Sequence, residues 1–116
     1  MNSQMEIKNA KIESTMLGIE DHGIMTCYLY LDYGDSGHQG FGGYGLDEPK
    51  KDKNDEFVGR VGSAWGMQFI MKILDVVGVE KWEDLPGKYV RVEAEHDKVH
   101  KIGNITKDKW FSPKEL

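Results

Sequence analysis

With only one cysteine, Cys27, the 116-residue chain cannot close an internal disulfide or offer a cysteine-rich zinc site. No apolar run reaches the length that crosses a bilayer, and no stretch combines a charged start, an apolar run and a cleavage site. The compartment expected from this pattern is the cytoplasm. Basic charge is also scarce: Lys and Arg total 15 against 20 for Asp and Glu, a net charge of −5. That balance weighs against direct binding to a phosphate backbone, whose affinity comes from counterion release by basic side chains.

Catalytic and metal signatures are missing too. His22, His38, His96 and His100 stand in no H-E-x-x-H pattern, so no metal site is expected. Ser63 lies in Val-Gly-Ser-Ala-Trp rather than a G-x-S-x-G elbow, and Cys27 falls on the apolar side of a strand pattern. Neither reads as a nucleophile. The chain is therefore read as a non-enzymatic protein without a cofactor.

What is present is an ordinary globular balance, 39% apolar and 30% charged, at the length of one domain spanning 1–116. Residues 5–19 read as a first strand anchored by Ile7, Ile12, Leu17 and Ile19, with a bulge near Asn9 and Ala10. Glu20-Asp21-His22-Gly23 suits a tight reversal. Ile24 to Asp32 alternates with period two, Met25, Cys27, Leu29 and Leu31 on one face. A glycine-rich strand over 39–46 follows, and then a charged, proline-containing stretch over 47–58 that reads as a mobile surface loop.

Ser63 caps a helix to about Val77, in which Phe69, Ile70, Ile73, Leu74 and Val77 recur at helical spacing, and Gly78 stops it. Two further strands, 89–94 and 99–105, flank a turn at His96-Asp97. The expected fold is α+β, an antiparallel sheet of about five strands with one principal helix packed on one face.

Gly40-Phe-Gly-Gly-Tyr-Gly45 satisfies G-x-G-x-x-G, but Leu46-Asp-Glu-Pro49 follows it instead of a helix start, so no dinucleotide fold is implied. Phe41 and Tyr44 instead become candidates for a contact surface. Glu20, Asp21 and His22 form the one compact acid and histidine cluster, which a turn could present to a partner. Trp65 adds aromatic surface of the kind that anchors interfaces. Arg60 and Arg91, the only arginines, are candidate anion contacts because their planar forks bind phosphate or carboxylate in a bidentate way.

Gly18-Ile-Glu-Asp-His-Gly-Ile-Met-Thr26, Gly40-Phe-Gly-Gly-Tyr44, Arg60-Val-Gly-Ser-Ala-Trp-Gly66, Val77-Gly-Val-Glu-Lys-Trp-Glu-Asp-Leu85 and Ile102-Gly-Asn-Ile105 with Lys109-Trp-Phe111 together resemble small accessory proteins of tailed phages and prophages. The resemblance implies a protein that binds and disables a host defence component, of the anti-CRISPR or another anti-defence type. A second expectation is a sponge for a nucleotide-derived immune signal, with Phe41, Tyr44 and Trp65 stacking and Arg60 or Arg91 on phosphate; such a pocket can form between copies of the chain in a homo-oligomer. A third draws on Leu85-Pro-Gly-Lys-Tyr-Val-Arg-Val92, a loop-into-strand pattern of small β-barrels that handle single-stranded nucleic acid.

Overall fold

A computed structural model describes residues 4–116, with the side chain of Asp21 outside that description. The long strand β1 (Glu6–Asp21) pairs antiparallel with two neighbours in succession. Its first half, residues 6–11, lies against β6 (Tyr89–Glu95), and its second half, residues 11–21, against β2 (Ile24–Asp32). The register slips between Ile12 and Ser14, so Glu13 is the extra residue of a bulge where the strand changes partner. That is three residues beyond the expected position. His22 and Gly23, at φ 55° and 72°, form the two-residue turn into β2, both in the left-handed conformation that lets a short hairpin keep its twist.

β3 (His38–Gly42) adds to the free side of β2, while β7 (Lys98–Asn104) and the short β8 (Trp110–Phe111) extend the sheet beyond β6. The order is therefore β3-β2-β1-β6-β7-β8, all antiparallel. The sheet curls until β3 lies near β7. Gln39 bridges that seam, its Nε2 donating to the carbonyls of Glu95 and His96 at 2.9 and 3.0 Å.

Helix α1 (Ala64–Val77) closes the sheet's concave side by burying Gly66, Phe69, Ile73 and Val76. Its ends follow from local chemistry. Ser63 Oγ accepts the Gly66 amide at 2.9 Å, and left-handed Gly78 returns its amide to Leu74 O at 2.9 Å. Phe41, Phe69 and Phe111 meet at the centre, with ring centroids 5.3 to 6.1 Å apart, enclosed by Ile12, Leu29, Leu31, Val90, Val92 and Ile102. Each such side chain contributes about 1.5–3 kcal/mol through removal from water.

The expected α+β architecture holds, with six strands in the main sheet and a separate two-stranded one. Residues 47–58 are not a loop. They form most of a hairpin, β4 (Asp47–Lys51) with β5 (Phe57–Gly62). Phe57, Val58 and Val61 are all exposed, so neither face of this hairpin is buried and no apolar alternation marked it. Ile7, Leu17 and Ile19 are likewise not core anchors, being 64%, 39% and 64% exposed; within β1, Ala10 and Ile12 do that work.

Gly66 rests so closely on Leu46 that a Cβ there would overlap the Leu46 carbonyl. Gly66→Ala is expected to destabilise the protein by about 2–3 kcal/mol in urea denaturation, the cost of overpacking a tight contact. Gly62→Ala, where a Cβ meets nothing within 4 Å, should change stability by less than about 0.5 kcal/mol.

Candidate functional site

The segment Gly43–Leu46 leaves β3 and returns along β2: Gly43 N donates to Cys27 O at 2.9 Å, Thr26 Oγ1 to Tyr44 O at 2.8 Å, and Leu46 N to Met25 O at 2.7 Å. This holds Tyr44 beside the start of α1. There its ring meets Trp65 at 5.9 Å and Phe69 at 5.4 Å, while Trp65 stacks on Phe69 at 5.5 Å and 28°. Trp65 and Tyr44 are packed against the core but remain partly exposed.

Those two aromatic residues line a cavity of about 370 Å³, together with Lys98 and His100 of β7 and Ser112, Pro113, Lys114 and Leu116 of the C-terminal segment. Ser112 is only 3% exposed. Among the described residues, two buried side-chain polar atoms have no hydrogen-bond partner, His100 Nε2 and Ser112 Oγ, and both residues stand in this one wall. His100 Nε2 lies 3.4 Å from Glu95 Oε2, within ion-pair range but without hydrogen-bond geometry. Lys98 and Lys114 form no ion pair among the described residues. The cavity thus combines aromatic surface, uncommitted cations and unsatisfied polar groups.

An unmet buried polar atom costs about 1–3 kcal/mol, so native structures satisfy the great majority of them. Ser112 Oγ and His100 Nε2 are both closed to solvent, so they lie behind the cavity surface, and the Glu95 carboxylate stands against the imidazole. The charged groups that the cavity presents to solvent are the ammonium groups of Lys98 and Lys114.

The other expected site residues are placed differently. Phe41 is 1% exposed between Phe69 and Phe111, so its ring is core and offers no contact surface. The glycines around it have a packing reason. A Cβ on Gly42 would overlap Cys27 O, and one on Gly43 would strike the Tyr28 ring. Glu20 and His22 stand exposed at the tip of the β1–β2 hairpin, and the Asp21 side chain lies outside the described residues.

Both arginines are engaged by their own chain. Arg60 grips Asp47 with Nε and Nη2 at 3.0 Å each. Hydrogen bonding to Arg60 chiefly holds the Asp47 carboxyl below its ordinary range, helped by the Met25 amide. Arg91 lies over the Trp110 ring at 4.7 Å and donates to Asn104 O and Lys107 O at 2.7 Å each. Neither fork is open to an anion. Burial pushes the Cys27 thiol up to about 12, which keeps it un-ionised, as its apolar position implied.

A second cluster gathers at the strand change. His38 Nε2 stands 3.5 Å from both Glu13 Oε2 and Asp32 Oδ1, the bulge turning Glu13 toward the pair. The three ligand atoms lie within 4.8 Å of one another, a spacing that could hold a divalent cation. Mutual ion pairing between the imidazole and the two carboxylates accounts for the same arrangement.

Sequence reasoning found Tyr44 and Trp65 but missed Lys98, His100, Ser112 and Lys114. His100 stands in no ligand pattern, and no spacing linked residues 98–100 and 112–114 to residues 44 and 65. Only the pairing of β7 with β8, beside the start of α1, does so.

Ser112→Ala tests whether the buried hydroxyl contributes to the fold. Because the hydroxyl has no partner, its removal is expected to leave the stability of the ligand-free protein unchanged or raise it by up to about 1 kcal/mol, read by urea denaturation. At the hairpin, Arg60→Ala is expected to raise the Asp47 pKa toward the ordinary carboxylate value, followed by NMR titration. The depressed folded value makes the pair stabilising at neutral pH, and its contribution is lost as pH falls through that value.

Compared with protein families, curated proteins and solved structures, the chain matches none.

Proposed function

We propose that the protein is a binding module that captures a small anionic ligand in the cavity between α1, β7 and the C-terminal segment. The observation that carries this reading is that Lys98 and Lys114, neither of them ion-paired among the described residues, share one cavity with Trp65 and Tyr44. Lys98 and Lys114 supply the positive charge, and Trp65, in the first turn of α1, stands near the helix end that favours anions. The reading fits capture and sequestration, the second of the sequence expectations, with lysines in place of arginines. Inhibition of a host defence protein rests on the phage resemblance.

Isothermal titration with inorganic phosphate tests the anion site. Saturable binding is expected, weakening with added salt. Lys98→Gln should reduce affinity about tenfold, the worth of one hydrogen bond to a charged group. No heat at any phosphate concentration would remove the reading.

The strand order favours a second reading. β1, β2, β3, β6 and β7 form a partly open barrel in the order 3-2-1-6-7, with α1 between the third and fourth of these strands, the connectivity of the OB barrel. Such barrels hold single-stranded nucleic acid across the face of their second and third strands. Here that face carries Tyr28 and Tyr30, stacked at 5.7 Å and 12°, with Tyr30 41% exposed. The net charge of −5 opposes the electrostatic term, so affinity would come from stacking. Fluorescence anisotropy with a labelled oligothymidine at low salt should then show binding that Tyr30→Ala weakens about tenfold. A flat titration removes this reading.

A further inference from the structure

We infer that the ligand of the cavity is a nucleoside monophosphate unit, its base on Trp65 and its phosphate between Lys98 and Lys114. This rests on the reading of the cavity as an anion site and names what the anion is attached to. The indole lines the cavity, and Phe69 stacks on it at 28° with a centroid distance of 5.5 Å, while Tyr44 packs at 58°. These contacts hold the ring in place before a ligand arrives, so a planar ligand would lose little side-chain entropy in stacking on it. A simple inorganic anion has no use for that surface. A base does, because every base has a face that stacks on an aromatic side chain.

The charged part of the lining asks for more than a single carboxylate. Two exposed lysines without ion-pair partners among the described residues, each with three ammonium donors, can together satisfy several oxygens. A phosphate monoester offers three such oxygens and close to two negative charges. The cavity volume of about 370 Å³ lies near the lower end of small-molecule sites, which suits one nucleotide unit better than two joined units. The unit could be a free nucleotide or the terminal nucleotide of a strand, since both present the same base and phosphate.

The probes are inorganic phosphate, adenosine, adenosine 5′-monophosphate and a 5′-phosphorylated dinucleotide, each titrated calorimetrically into the full chain. The monophosphate is expected to bind at least about tenfold tighter than phosphate and than adenosine, because stacking and phosphate contacts add. Tighter binding of the phosphorylated dinucleotide would assign the unit to a strand end, and weaker binding to a free nucleotide. Trp65→Leu should abolish the advantage of the monophosphate over phosphate while phosphate affinity stays within about twofold.

Because Trp65 packs on Phe69, the wild-type protein supplies an independent readout. The Trp65 indole proton resonances should shift upfield with the monophosphate and not with phosphate. Trp82, bonded through Nε1 to Thr15 Oγ1, and Trp110, under Arg91, should not respond. Phosphate binding with no gain from the base, and no indole shift, would overturn this inference while leaving the anion site intact. Absence of binding by phosphate and monophosphate alike would overturn both.

Discussion

The close seat of Gly66 on the Leu46 carbonyl is the contact on which the placement of the other parts depends. That carbonyl accepts from Ser63 N at 3.3 Å and from Ser63 Oγ at 3.2 Å, and the absence of a side chain at Gly66 lets the first turn of α1 settle on it. Leu46 is itself tied to β2 through Met25 O. The sheet thus sets where the helix begins, and the start of the helix sets where Trp65 stands. Tyr44, two residues before Leu46, is carried to the same place by the same segment. The cavity is a consequence of that junction and of the C-terminal segment laid alongside it.

The distribution of committed and uncommitted cations gives the site its character. Arginine is suited to rigid, bidentate pairing, and this chain spends both of its arginines internally, one fastening the β4–β5 hairpin through Asp47 and the other fastening residues 104–107 to β6. Lysine, a flexible point charge, is left beside the cavity. There Lys98 and Lys114 stand exposed, without ion-pair partners among the described residues. The aromatic wall is packed against the core, whereas the lysines of the charged wall are exposed.

Much of the fold was legible because local physics and tertiary need agree. Ser63 and Gly78 bound the helix because a hydroxyl cap and a left-handed glycine satisfy its end groups whatever lies around it. β2 shows its alternation because one face is buried and the other is not. The β4–β5 hairpin escaped notice for the converse reason, since with both faces exposed its strands are held by backbone hydrogen bonds that leave no apolar period. Ile7 and Ile19 misled because an apolar side chain on the outer face of a strand reads like one on the inner face until the register is known.

By itself the sequence determined the α+β class, the limits of α1 and the strand β2, all properties of residues near one another or of composition. Tertiary structure alone decided which aromatic residues are core and which line a cavity, why both arginines are spoken for, and that Lys98, His100, Ser112 and Lys114 meet Tyr44 and Trp65. These are properties of pairing between distant segments. A side chain's chemistry depends on the partners that the curled sheet brings to it, and no local spacing encodes them.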